Sequence, residues 1–142
     1  MPYPRIYVCE LETPDHFYIG TTLRLPYERE QEHREGWGSK FTIKHGFKEM
    51  MFHELLEPGT ASRLEQDLTI ALMCRYGWGR CRGGDLTAQS EETLKRYLPA
   101  CLRNLAPTDI LPLHLRPVSQ FAPQLGRLLN RFEMVRGLHN AN

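Results

Sequence analysis

Apolar and polar positions alternate over residues 5–12, Arg-Ile-Tyr-Val-Cys-Glu-Leu-Glu, and the β-branched and aromatic residues among them predict a strand. Thr13-Pro14-Asp15 supplies turn chemistry, and residues 16–21, His-Phe-Tyr-Ile-Gly-Thr, predict a second strand antiparallel to the first. Pro26 suits the first position of a helix that runs to about Glu35 and is mostly charged. Gly36-Trp37-Gly38-Ser39 breaks it, and residues 47–56 predict a third strand that ends at Pro58-Gly59. Leu64, Leu68, Ala71 and Leu72 then recur at helical spacing, with Ser62 and Glu65 spaced as a capping box at the helix start.

Residues 76–86 carry four glycines and predict an irregular loop. Ser90 is placed to cap a helix bearing Leu94, Tyr97, Leu98, Cys101 and Leu102 on one face, which Pro99 should kink or divide. Pro107, Pro112 and Pro117 mark residues 106–117 as a connector. A last helix over about 122–137 carries Leu125, Leu128, Leu129, Phe132 and Val135 on one stripe. Strands followed by helices predict an α+β fold: a core over residues 1–86 and a helical extension over 87–142, packed on or beside it.

The length of 142 residues suits one domain with a core that needs no staples. No apolar run approaches the ~20 residues of a membrane span, and the first residues lack the apolar stretch of a secretory signal, so the expected compartment is the cytoplasm. The four cysteines lack the close spacing of a zinc knuckle and read as reduced, buried thiols. With 18 Lys/Arg against 17 Asp/Glu the net charge is +1, so bulk charge does not point to nucleic acid. Residues 97–142 hold five arginines against Asp109 and Glu133, which leaves thirteen basic against fifteen acidic residues before them. A polyanion site in the first part must therefore be a local cluster.

One set of residues offers such a cluster. A hairpin loop centred near residues 12–13 would place Tyr7 and Tyr18 opposite one another on one sheet face, where an aromatic cross-strand pair would in any case stabilise the sheet. Arg29 and His33 lie four apart and share a helix face, although Glu28, Glu32 and Glu35 could neutralise them. Glu65 is either a helix-capping acid or a carboxylate able to hold a divalent cation.

Taken in order, these residues resemble the GIY-YIG nuclease family. Ile6-Tyr7 and Tyr18-Ile19-Gly20 are similar to its two signature strands. Arg29 and His33 stand where the family has its helix arginine and the histidine or tyrosine four residues on. Gly38-Ser39-Lys40-Phe41-Thr42 matches a following loop, Glu65 the metal-binding glutamate, and Tyr76-Gly77-Trp78 with Arg82-Gly83-Gly84 a closing segment. The likeness covers about residues 5–85. Arg5 replaces the first motif's glycine, one extra residue separates Tyr18 from Arg29, Thr21 stands where some members place a lysine, and Arg80 where related sequences carry an asparagine.

The resemblance implies a three-stranded, mostly antiparallel sheet flanked by helices, and Mg²⁺-dependent hydrolysis of DNA phosphodiesters. Glu65 would hold one Mg²⁺, which Mn²⁺ could replace. Tyr7 would take the proton of the attacking water, Arg29 would neutralise non-bridging oxygens, and Tyr18 and His33 would orient water and phosphate. Lys40, Lys44, Lys48, Arg80 and Arg82 are candidates to grip flanking phosphates of duplex or branched DNA, with RNA also open. Trp37 and Trp78 either stack on bases or pack under the glycine loops. The C-terminal helices could pack on the sheet, join two copies as a homodimer, or contact DNA through Arg127, Arg131 and Arg136. The competing reading is a GIY-YIG-fold module for nucleic-acid binding or protein interaction that has lost catalysis. A third is a scaffold of unrelated α+β fold, in which the candidate residues lie scattered.

Overall fold

A computed structural model describes residues 3–140, with side chains through Gly137. The two predicted strands form as β1 (Arg5–Leu11) and β2 (Phe17–Thr22), followed by α1 (Pro26–Arg34), α2 (Lys40–His45), β3 (Phe47–Leu55) and α3 (Ala61–Tyr76). Then come β4 (Cys81–Gly83), α4 (Glu91–Lys95), α5 (Ala100–Arg103) and α6 (Ala122–Asn140). The sheet has four strands in the order β3-β1-β2-β4. β1 pairs antiparallel with β2 and β3, but β4 runs parallel to β2. The expected three-stranded antiparallel sheet thus gains a parallel edge strand from the segment read as irregular loop.

Alternation divides the sheet into two faces. Ile6 and Val8 of β1 and Phe17 and Ile19 of β2 point to one side, where Leu64, Leu68 and Leu72 of α3 meet them. Leu94, Leu98, Leu102, Leu128 and Phe132 join the same cluster. One hydrophobic core therefore spans both sides of residue 86, and each fully buried Leu or Phe in it contributes roughly 1.5–3 kcal/mol. The apolar stripe of α6 is spent here rather than left for a second copy. Arg131 and Arg136, two of the candidate DNA contacts of the extension, are tied down as well. Arg131 donates to the Glu54 carboxylate at 3.0 Å and Arg136 to Asp15 at 2.8 Å.

The opposite face carries Tyr7, Cys9 and Leu11, packed with Phe41, Tyr18, Phe47 and Met50. α1 lies here although it is polar all round and buries only His33. Such a helix cannot dock by an apolar stripe. It is held instead by polar contacts to the sheet: Glu30 accepts from the Met50 amide at 3.2 Å, and the Arg34 guanidinium lies 5.0 Å from the Phe47 ring centre. α2, read from sequence as loop, is a short helix whose N-cap Ser39 accepts from the Thr42 amide.

Pro99 divides α4 from α5, and Ser90 caps α4 as its spacing predicts. The Ser62–Glu65 capping box is not made. α3 starts two residues earlier with Thr60 as N-cap and no side-chain cap bond. Glu65 lies beyond the first turn, and its carboxyl group is left for other partners. No helix among the described residues is long and apolar enough to cross a membrane.

Candidate active site

Tyr7 sits at the middle of the central strand and is 1% exposed. Its partners across the ladders are Gly20 on β2 and His53 on β3. Tyr18 pairs with Cys9, so the two tyrosines are diagonal neighbours with ring centres 6.4 Å apart, not directly opposite. The cause is the turn. It spans residues 12–15, closes with Leu11 N–H donating to the His16 carbonyl, and places Asp15 at φ 59°. This slides the register by two residues and keeps both phenols on one face.

Gly20 is required by this pairing. A Cβ built on it would lie 2.6 Å from Tyr7 Cζ, so only a residue without a side chain lets the Tyr7 ring cross its partner strand. Gly38 does the same for His33, whose Cε1 would lie 2.8 Å from an added Cβ.

Two α1 side chains converge on the Tyr7 hydroxyl. Arg29 Nε–H donates to it at 3.0 Å, and His33 Nε2 lies 3.1 Å away. Arg29 donates, and the phenol's own proton can go to His33 Nε2 where that nitrogen is unprotonated. His33 Nδ1 lies 3.5 Å from Thr42 Oγ1, and the Thr42 hydroxyl proton is used on the Ser39 carbonyl at 2.8 Å. Thr42 is left as the acceptor, which fixes the proton on Nδ1 and the lone pair on Nε2. Arg29 is steadied by Glu32 at 3.4 Å.

The electrostatics agree with that assignment. Burial, then the Tyr18 and Cys9 neighbours, push the Tyr7 phenol well above its ordinary range despite Arg29. Burial, and next the Glu65 charge, also raise Tyr18. Burial and the Arg29 charge lower His33 to about 4, so its imidazole is neutral near pH 7. A histidine with a depressed folded pKa binds fewer protons than the unfolded chain between about pH 4 and 6.5. Stability therefore rises with pH across that window and is lost as pH falls through it. Replacing His33 with phenylalanine should flatten the loss between pH 7 and 4.5 by about 2 kcal/mol. Urea unfolding at the two pH values checks this, and equal pH dependence in both proteins contradicts it.

Glu65 rises from α3, behind the sheet, at the end of β2 that β4 does not cover. The Thr21 hydroxyl and amide favour the charged form of its carboxylate, and its charge is felt at Tyr18. Burial and the Asp85 carboxylate raise its pKa. Tyr7, Tyr18, Arg29 and His33 thus meet on one sheet face, whereas Glu65 stands on the α3 side beside Thr21, near enough for its charge to raise Tyr18. Among the described residues, no group of three or more His, Cys, Asp or Glu could hold a metal ion. A half-buried carboxylate with the exposed Asp85 near it still fits Mg²⁺, which keeps most of its waters and takes one or two carboxylates plus phosphate oxygens.

The expected phosphate contacts divide. Lys40 and Lys44 stand exposed on α2, and Lys48 lies 3.9 Å from Glu10. Arg80 is partly exposed, 4.0 Å from Asp15. Arg82 is not a phosphate ligand. It is 2% exposed and donates to the carbonyls of Trp78, Gly79, Cys81, Ala88 and Gln89, with its guanidinium 4.6 Å from the Phe41 ring centre. Its work is to close the loop after β4. Trp78 packs under its glycine loop, with the indole N–H donating to the Leu105 carbonyl at 2.8 Å, whereas Trp37 is 74% exposed.

Thr42 and Ser39, which set the His33 tautomer, and Thr21, which braces Glu65, were not assigned these roles from sequence. Their signal is the Gly38–Thr42 motif and the position after Gly20. No protein-family model, curated protein or solved structure compared with the chain matches it.

Proposed function

We propose that this chain is a Mg²⁺-dependent endonuclease of the GIY-YIG kind, hydrolysing DNA phosphodiester bonds with a tyrosine-activated water. The observation that supports this reading best is the Tyr7 hydroxyl held between Arg29 Nε and His33 Nε2 on one sheet face, with the Glu65 charge reaching Tyr18.

Free-energy magnitudes select how Tyr7 acts. Forming a phenolate at pH 7 costs ~4 kcal/mol even at an ordinary pKa near 10, and burial here adds to that. Placing a proton on an imidazole of pKa about 4 also costs ~4 kcal/mol but leaves no buried anion. Tyr7 therefore takes the water's proton while passing its own to His33 Nε2. The charge that develops on His33 is offset by the incoming phosphate. Arg29 holds the Tyr7 oxygen as an acceptor and turns the rest of its guanidinium to the non-bridging oxygens. Tyr18 orients the phosphate, and Lys40 and Lys44 hold flanking phosphates. Glu65 would hold Mg²⁺, which when bound supplies charge to the leaving oxygen.

The test is a panel of plasmid, branched, flap and single-stranded DNA incubated with Mg²⁺ or EDTA. Cleavage of at least one substrate with Mg²⁺ and none with EDTA is expected. Binding without cleavage across the panel supports the non-catalytic module instead.

A further inference from the structure

Along the same sheet face, beyond Tyr18, lies a second polar pocket of about 360 Å³. That is within the range of roughly 300–1,000 Å³ in which small ligands are held. His16, Phe41, Lys44, His45, Arg82 and Glu91 are among the residues lining it. It adjoins the Tyr7 site in two ways. Arg82 is the ladder partner of Tyr18 across β2 and β4. His16 stands two residues before Tyr18, just ahead of β2, with its ring against Phe41 of the same face.

The rings form a compact group. The His45 centre lies 4.3 Å from that of His16 and 4.6 Å from that of Phe41, and His16 lies nearly parallel to Phe41. The protons of both imidazoles can be placed. His16 Nδ1 lies 2.9 Å from the Pro14 carbonyl, which can only accept, so Nδ1 carries the proton. The Thr13 hydroxyl donates to the His45 carbonyl at 3.3 Å, so His45 Nδ1, 3.1 Å from that oxygen, must be the donor. Each ring keeps an Nε2 lone pair. Burial and nearby cations hold both rings neutral, with His45 lowered to about 4.

The lining therefore carries two imidazoles with an unprotonated Nε2, the Glu91 carboxylate, the Gln89 amide and the Ser90 hydroxyl. Arg82 is spent on main-chain carbonyls, which leaves Lys44 as the exposed cation of the lining. The Ser90 hydroxyl is spent on Thr93, so a phosphate would find Lys44 and the Gln89 amide as side-chain donors, set against the Glu91 carboxylate and the two imidazole lone pairs. A planar group bearing N–H donors suits the acceptors and the flat rings, and uracil and thymine bring only one such donor. Adenine, cytosine and guanine each bring an exocyclic amino group. On the nuclease reading of the Tyr7 site, we infer that this pocket takes one unpaired, amino-bearing nucleobase from the nucleotide next to the cleaved bond, with Lys44 on its phosphate.

The experiment is a metal-free titration of the full chain with AMP, CMP, GMP and UMP, followed by the side-chain nitrogen resonances of the histidines. The Nε2 signals of His16 and His45 should move, and UMP should bind about tenfold more weakly than the other three, the difference one or two net hydrogen bonds make. His45→Phe and, separately, His16→Phe keep a flat ring and should erase the preference. Lys44→Ala should weaken all four nucleotides alike. Equal affinity for the four, no binding, or shifts confined to His33 overturns the inference. Failure of the nuclease reading is distinguishable: base discrimination at His16 and His45 without any Mg²⁺-dependent cleavage retains the pocket and removes the nuclease. Cleavage with no base preference beside the cut does the reverse.

Discussion

Tyr7→Phe is expected to lower DNA cleavage by at least about 10²–10⁴-fold, the range that a positioned proton-transfer group supplies. The substitution removes one oxygen and leaves the ring. That oxygen accepts from Arg29, donates to His33 and, in the proposed reaction, meets the attacking water. Its loss opens the relay at the only point where the three groups meet. Stability should change little, by about 1–2 kcal/mol, because one buried hydroxyl is lost and the partly exposed Arg29 can turn to water. Oligonucleotide affinity should stay near that of the parent chain, since the cations placed on phosphate are untouched. Single-turnover cleavage, a binding titration and a urea melt on one preparation separate these effects. A Tyr7→Phe protein cleaving within tenfold of the parent removes Tyr7 from the reaction.

Gly20→Ala should be nearly as damaging without touching any reacting group. The added Cβ would stand 2.6 Å from Tyr7 Cζ. The ring, 1% exposed and held by Arg29 and His33, has no free space to enter. Overpacking of this kind costs about 1–3 kcal/mol. A displacement of about 1 Å at the reacting oxygen costs on the order of 10² in rate. The rate should therefore fall well below what the fraction of folded protein accounts for. Full activity in Gly20→Ala means that the Tyr7 position carries no catalytic constraint. The glycine of the second motif then needs another explanation.

The parts of this fold that were legible in sequence are those with a long enough pattern. β1, β2 and β3 run for six to nine residues between clear turn signals, and α3 and α6 repeat their apolar positions over 16 and 19. Pro26 marks the start of α1, and Ser90 and Pro99 mark the breaks of the later helices. α2 and β4 were missed because six and three residues are too few for either period to emerge. β4 also pairs parallel with a distant strand, so no local turn announces it. The hairpin register depended on a four-residue turn whose left-handed residue is an aspartate, not a glycine.

For the site, spacing alone was enough to put Arg29 with His33 and Tyr7 with Tyr18. It could not say that Arg82 is consumed by carbonyls while Lys44 is exposed, because burial of a charge depends on the loops around it. Nor could it find the Thr42 contact that sets the His33 tautomer. That contact runs from α1 to a helix the pattern did not reveal.

The central claim is that the Glu65 carboxylate and the Tyr7 relay serve one cation-dependent phosphodiester cleavage. The most direct measurement compares the parent chain with Glu65→Gln for nicking of a supercoiled plasmid as Mg²⁺ is titrated, with oligonucleotide binding measured in parallel. The amide keeps the shape of the side chain and an acceptor oxygen beside Thr21, but loses the charge. The parent should nick with saturable dependence on Mg²⁺, and Glu65→Gln should stay at background while still binding DNA. Equal nicking by both proteins, or nicking by the parent that EDTA leaves unchanged, contradicts the account.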